Sequence, residues 1–194
     1  MAHPPRQSNN SVRIIAGEYR SRRLDFPSLE GLRPTADRIR ETLFNWLQDS
    51  VAGETCLDLF AGSGALGLEA LSRNAARVDF VEKNGAAATA IRDNIHRLGT
   101  EKGRVFCADA LKWISEQGEL GYGLVFLDPP FSENSMNSAI CELESANVMR
   151  DGCLVYIERG IDSDELTLPA NWTEIKSKKA GAVRFGLYRA VRNR

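Results

Sequence analysis

The sequence predicts a doubly wound α/β domain, with a mostly parallel sheet covered by helices on both faces and an N-terminal β-hairpin and helix in front of it. Three observations predict it. From Glu54 onward, short apolar runs alternate with stretches of helical periodicity. Two of these runs, GLVFLD (123–128) and CLVYIE (153–158), are apolar almost throughout, as strands are when both faces of a sheet are covered. The first run passes into LDLFAGSGALGL (57–68), whose GSGALG fits the G-x-G-x-x-G turn between a strand and a helix.

The elements follow in order. Residues 1–11, MAHPPRQSNNS, are polar and rich in Pro and Asn, which predicts a disordered lead-in with no apolar stretch to act as a signal peptide. Residues 12–26, VRIIAGEYRSRRLDF, predict a hairpin turning around Gly17 to Ser21, with arginines on its exposed side. Pro34 and Thr35 then open a helix. Thr35 is the expected N-cap, and Ile39, Leu43, Phe44 and Leu47 recur at helical spacing. The pattern next predicts strands over 55–60, 77–82, 103–107, 122–127 and 152–157, separated by helices over about 64–73, 85–98, 110–116 and 134–146. NWTEIKSKK and VRFGLYRA around AGA predict an antiparallel hairpin closing the sheet.

Composition narrows the function. A chain of 194 residues, 43% hydrophobic, supports one ordinary domain with a real core. No apolar run approaches the roughly 20 residues needed to span a bilayer. The four cysteines, Cys56, Cys107, Cys141 and Cys153, are scattered and form no C-x-x-C pair. Three lie in apolar segments, which predicts buried free thiols in a reducing cytoplasm rather than disulfides or zinc ligands. With only His3 and His96, histidine-based metal or nucleophile chemistry is disfavoured, so no metal is expected. The net charge of −1 hides an uneven distribution. Arginines crowd residues 1–40, residues 176–194 are basic without a single acid, and the body between them is acidic. Basic ends on an acidic body suggest a surface that faces a polyanion.

In an open parallel sheet, ligands bind beyond the carboxyl ends of the strands. The loop after the first strand, Phe60 to Gly64, lets a ligand approach the backbone closely. The next strand ends in FVEKN, where Glu82 can take both hydroxyls of a ribose. To this point NAD and S-adenosylmethionine are equally served. Asp58 separates them. A pyrophosphate would be repelled by a carboxylate at the strand tip, whereas S-adenosylmethionine carries a cationic ammonium and sulfonium and no phosphate. Asp109, after the third strand, can accept an adenine amino group, cap the helix that starts at Ala110, or do both.

The fourth strand ends in Asp128-Pro129-Pro130-Phe131. Two prolines stiffen the backbone at the expense of hydrogen-bond donors. That leaves the Asp128 carboxylate and the Pro129 carbonyl as acceptors at the cleft, with the flat face of Phe131 beside them. Two acceptors can hold both N–H bonds of an exocyclic amine while the base stacks on the ring. Held so, the nitrogen lone pair is aimed at a sulfonium methyl; such alignment is worth up to roughly 7–11 kcal/mol. An aspartate of ordinary pKa, about 3.9, is already ionised at neutral pH, so no special tuning of Asp128 is expected.

The pairing of DLFAGSGALGLEALSR with a later DPPF resembles the class I S-adenosylmethionine-dependent amino-methyltransferases. The leading segments RIIAGEYRSRRL and LRPTADRIRETLFNWL are similar to those of the bacterial RsmD-type enzymes, which methylate guanosine N2 in 16S ribosomal RNA. The resemblance implies a Rossmann-like, seven-stranded, mostly parallel sheet. It also implies an RNA-binding extension over 12–50, a methyltransferase domain over 51–194, and S-adenosylmethionine as cofactor with S-adenosylhomocysteine as product. By the same resemblance Asp58, Gly62 and Gly64 line the methionine end, with Phe60 and Ser63 beside them. Glu82 and Lys83 serve the ribose, Asp109 and Ala110 the adenine, and Asp128, Pro129, Pro130 and Phe131 the target base. Arg13, Arg20, Arg22 and Arg23 grip RNA phosphates, joined by Arg33 and Arg38, and Arg33 to Thr35 with Arg38 help close the cleft. The implied partner is 16S rRNA or an assembling small subunit, met in the cytoplasm by a monomer and away from any membrane. The guanine is expected to be unstacked from its helix. Two other readings remain open at this point, an adenine-N6 methyltransferase on DNA or RNA and a non-catalytic assembly factor that binds cofactor and rRNA. An NAD dehydrogenase is disfavoured by Asp58 and by the lack of a strand-end histidine for hydride chemistry.

Overall fold

Apolar strand segments and amphipathic helices alternate as expected, and each helix buries its apolar face on one side of a single sheet. The computed structural model of the chain describes residues 10–129, 135–163 and 165–192. Strands β1 (Asn10–Arg13) and β2 (Arg23–Phe26) form an antiparallel hairpin, followed by α1 (Asp37–Trp46). Then come β3 (Thr55–Asp58), α2 (Ala65–Ser72), β4 (Arg77–Val81), α3 (Gly85–Leu98), β5 (Gly103–Phe106), α4 (Ala110–Ser115), β6 (Tyr122–Leu127) and α5 (Ser135–Ser145). The chain ends in β7 (Met149–Gly160), β8 (Trp172–Ala180) and β9 (Val183–Ala190). The seven-stranded sheet runs β5-β4-β3-β6-β7-β9-β8, parallel from β5 to β7 and antiparallel where β9 pairs with β7 and β8.

Helices α1, α2 and α3 pack on one face, against Cys56, Leu124, Phe126, Tyr156 and Phe185. Helices α4 and α5 pack on the other, against Leu57, Val125, Val155 and Tyr188. Strand β7 is longer than its apolar run because it pairs with β6 at Met149 and over 154–157, and with β9 over 153–160. Among the described residues no helix is long and apolar enough to cross a membrane.

The N-terminal segment is not tethered loosely. Val12, Ile14, Leu24 and Phe26 join the same core as α1 and α2. The fully buried carboxylate of Glu69 on α2 accepts the backbone N–H groups of Ile15 (2.8 Å) and Ala16 (3.1 Å), and pairs with Arg73 (2.8 Å) and Arg40 (3.6 Å). Gly17 touches α2 so closely that a Cβ there would meet the Ser72 carbonyl oxygen at 1.8 Å.

Several expectations shift. The hairpin begins at Asn10, two residues earlier than the apolar pattern suggests, because Asn10 and Ser11 pair with Phe26 and Asp25. Thr35 is not the cap of α1: Ala36 holds that position without a side-chain bond, and the Thr35 hydroxyl turns elsewhere. Only Cys56 and Cys153 are buried; Cys107 and Cys141 are exposed, Cys141 on the outer side of α5. Arg40 is fully buried, so one of the crowded N-terminal arginines is an internal strut rather than a surface charge.

Candidate active site

Strands β3, β4, β6 and β7 run parallel, and a carboxylate stands at or near the carboxyl end of each: Asp58 in β3, Glu82 just after β4, Asp128 just after β6 and Glu158 two residues before the end of β7. The turn after β3 is made by Gly62 and Gly64, and Gly64 is the left-handed N-cap of α2 with φ 75°. The last glycine of the motif, Gly67, serves packing, since a Cβ on it would lie 2.2 Å from the Phe80 ring of β4.

Asp58 is 3% exposed, and its carboxylate accepts the Gly67 N–H at 3.0 Å. An acid therefore already fills part of the N-terminal dipole of α2, where a dinucleotide pyrophosphate would have to sit. Burial pushes Asp58 up to about 7, with the Glu82 charge adding to the rise and the Gly67 bond opposing it. Glu82 is half-buried and ties two loops together, accepting the Gly62 N–H at 2.8 Å and the Asn84 N–H at 2.7 Å. Phe60 is half-buried and Ser63 buried within the same loop, while Lys83 is exposed. Asp109 is exposed and caps α4 through the N–H groups of Leu111 (3.1 Å) and Lys112 (3.2 Å), with Ala110 buried behind it. Of the roles open to Asp109 in sequence, the cap is the one occupied.

Asp128 follows β6 directly, and Pro129 is buried beside it. Pro130 and Phe131 lie outside the described residues. Thr35 Oγ1 donates to Asp128 Oδ2 at 3.4 Å. The same segment reaches the glycine loop, where Leu32 Cδ1 would lie 3.1 Å from a Cβ on Gly62. Residues 32–35 thus lie against both the glycine loop and Asp128. Asp128 does not behave as an ordinary surface aspartate. Burial first, then the charges of Glu158 and Asp58, push it well above the usual carboxylate range, and the Thr35 bond pulls it partly back.

Glu158, which the sequence reading passed over, sits among these groups. It is 6% exposed, and its carboxylate accepts the Tyr156 hydroxyl at 2.6 Å. The signal was present: CLVYIE ends in an acid at the same strand-end position as Asp58, Glu82 and Asp128. A terminal acid on an apolar strand reads as solubility until the strand order is known.

Of the expected RNA-facing arginines, Arg13, Arg20, Arg23, Arg33 and Arg38 are exposed. Arg22 is also exposed, but it donates to the Arg97 carbonyl at 2.7 Å and so is already committed to α3. The set of acceptors and glycines fits a nucleoside carrying cationic rather than phosphate groups. No cluster of His, Cys, Asp and Glu suited to a metal ion occurs among the described residues.

The model of the family described as Conserved hypothetical protein 95 matches residues 12–189. Ribosomal RNA small subunit methyltransferase D of Escherichia coli is 40% identical over 188 residues, covering 97% of this chain and 94% of that protein. The protein of the same name from Haemophilus influenzae is 42% identical over 184 residues, 93% of this chain and 95% of that protein. A solved methyltransferase structure from Escherichia coli superposes with a TM-score of 0.88 at 38% identity, over 94% of this chain and 99% of that chain.

Proposed function

The chain belongs to the Conserved hypothetical protein 95 family, which it shares with the small-subunit rRNA methyltransferases D, and from that membership we propose that it moves a methyl group from S-adenosylmethionine to the exocyclic N2 of a guanosine in 16S rRNA. The observation that carries the reading is the placement of Asp128 and the Pro129 carbonyl at a strand end beside the glycine loop, with Thr35 of the N-terminal segment on Asp128.

When bound, S-adenosylmethionine supplies an electrophilic methyl on a cationic sulfur and departs as S-adenosylhomocysteine. Asp58, Phe60, Gly62, Ser63 and Gly64 form the wall for its methionine end. Glu82 and Lys83 stand at the ribose. Asp109 and Ala110 stand at the adenine, where α4 capping leaves Asp109 its outer oxygen surface for a donor. Asp128 and Pro129, with Pro130 and Phe131 following, hold the target amine by its two N–H groups and turn its lone pair toward the methyl. As nitrogen gains the methyl it becomes cationic, and one of its protons passes to Asp128 or to water. A carboxylate held above the ordinary range is the better acceptor for that proton. Arg13, Arg20, Arg23, Arg33 and Arg38 supply phosphate contacts around the cleft. An rRNA substrate places the work in the cytoplasm, on RNA or an assembling subunit, with one chain sufficient for the site.

Incubating the protein with methyl-labelled S-adenosylmethionine and unmodified small subunits, in parallel with their bare RNA, tests the reading. Digestion and mass spectrometry identify the labelled nucleoside. Label in N2-methylguanosine is expected. Label in N6-methyladenosine, or none while the cofactor still binds, overturns it.

A further inference from the structure

Strands β6 and β7 run parallel, with Phe126 paired to Tyr156 and Leu127 to Ile157. The next step of that register sets Asp128 beside Glu158. Alternation turns both toward the face of Phe126 and Tyr156, the face that α1 closes. Asp58, paired with Phe126, faces the same way. Glu158 is buried, yet the Tyr156 hydroxyl and the Thr35 hydroxyl, which it shares with Asp128, satisfy only part of a carboxylate's capacity. A buried acid beside a half-buried one, with no ion pair to either among the described residues, is costly for the fold alone. Such an arrangement is kept where a ligand brings donors.

The donors needed are a row. The Watson–Crick edge of guanine presents N1–H next to the two N–H bonds of N2, three donors in line. Adenine offers an amine flanked by lone pairs at N1 and N7. If Asp128 and the Pro129 carbonyl hold the amine, the neighbouring Glu158 meets whatever lies at ring position 1. A carboxylate attracts the N1–H of guanine and repels the N1 lone pair of adenine. We propose that Glu158 is the specificity-determining residue of the cleft, accepting the guanine N1–H and so selecting guanine over any purine with a bare N1. This rests on the N2-guanosine reading above. The neighbouring charges agree with it: burial raises Glu158, and Glu158 in turn raises Asp128, a strain that incoming donors relieve.

The test uses a base that keeps the methyl acceptor but loses N1–H together with the O6 carbonyl, so the effect of Glu158 is read from how a variant changes the ratio. 2-Aminopurine has the exocyclic N2 amine and a bare N1. Once N2-methylguanosine has been mapped, small-subunit RNA carrying 2-aminopurine at that position is made by ligation and compared with the guanosine form. The wild-type protein is expected to favour guanosine by roughly 10- to 100-fold in kcat/KM. Glu158→Gln, whose amide can donate to a bare N1 and still meet Tyr156, is expected to cut that ratio at least tenfold, with S-adenosylmethionine affinity unchanged. A merely structural glutamate would lower both rates together and leave the ratio alone. Equal wild-type rates on the two bases overturn the inference without any variant, and so does an unchanged ratio in a folded Glu158→Gln. If the wild type places no methyl on guanosine N2 at all, the underlying reading fails, and this one with it.

Discussion

Thr35 Oγ1 lies 3.4 Å from Asp128 Oδ2 across 93 residues of sequence, so the segment leading into α1 is hydrogen-bonded to the acid at the end of β6. The bond favours the ionised form of Asp128 against the burial that raises it. Thr35→Val keeps the shape and removes the donor. The acid limb of the kcat–pH profile should move to higher pH, because Asp128 must be ionised to accept an amine N–H. The rate at neutral pH should fall about tenfold, the worth of one hydrogen bond to a charged group. An unmoved limb would separate Thr35 from the chemistry.

Asp128→Ala removes one of the two acceptors proposed for the target amine and leaves the glycine loop intact. Turnover should drop by on the order of 10²–10³-fold. Calorimetric titration with S-adenosylmethionine should give an unchanged affinity, since Glu82 and the loop do not depend on Asp128. Near-normal turnover at unchanged cofactor affinity would remove Asp128 from its assigned role.

Arg20 and Arg23 are exposed around the N-terminal hairpin and take no part in the ion pairs among the described residues. If they grip phosphates, RNA affinity falls linearly with the logarithm of salt concentration. The double variant Arg20→Ala, Arg23→Ala should make that slope shallower by roughly 0.7 per arginine on a single-stranded target. Arg22→Ala should change it less, because its guanidinium already holds the Arg97 carbonyl. Filter binding at several salt concentrations reads both.

Glu69 joins the N-terminal segment to α2 through the N–H groups of Ile15 and Ala16 and the side chains of Arg40 and Arg73. Glu69→Ala strands these partners in the interior, with Arg40 fully buried. The expected loss is about 3–5 kcal/mol in denaturant unfolding. Proteolysis of the folded variant should cut first between β1 and β2, where the released backbone lies.

The alternation of apolar runs and helices revealed the sheet because strands buried on both faces show near-continuous hydrophobicity. Strand ends were less readable. Asp58 and Glu82 extend their apolar runs by sequence, yet β4 stops at Val81, where the chain turns to reach the cleft. Asp58, Glu82 and Asp128 could be found because each follows an apolar strand next to a turn motif. Glu158 closes an apolar run in the same way, but β7 continues to Gly160 with no turn motif, and only the β6–β7 register brings Glu158 to Asp128. Thr35 was misread for a related reason: Thr before an amphipathic run is a normal cap signal, and nothing local shows that its hydroxyl has a partner 93 residues away. Arg40 looked like surface charge because its partner Glu69 lies on an otherwise apolar helix.

Asp58 ties stability and cofactor binding to pH in opposite senses. Burial holds it up at about 7 in the folded protein, against about 3.9 in an unfolded chain. Between those values the folded state binds more protons than the unfolded one. Its contribution to stability is therefore fully present below about pH 4 and is lost as pH rises through about 7. Asp58→Asn removes the titrating group and keeps an oxygen to accept the Gly67 N–H. Its melting temperature should lose the Asp58-linked decline between about pH 5 and about pH 8 and exceed that of the parent at the upper end. A cationic ligand reverses the preference, because it favours the ionised acid. S-Adenosylmethionine should bind the parent more tightly as pH rises over the same interval and release a proton as it binds below about pH 7, whereas Asp58→Asn should bind weakly with little pH dependence. Calorimetry in buffers of different ionisation enthalpy counts that proton. An affinity that stays flat with pH in the parent would mean that Asp58 serves α2 alone, through Gly67, and takes no part in recognising the cofactor's positive charge.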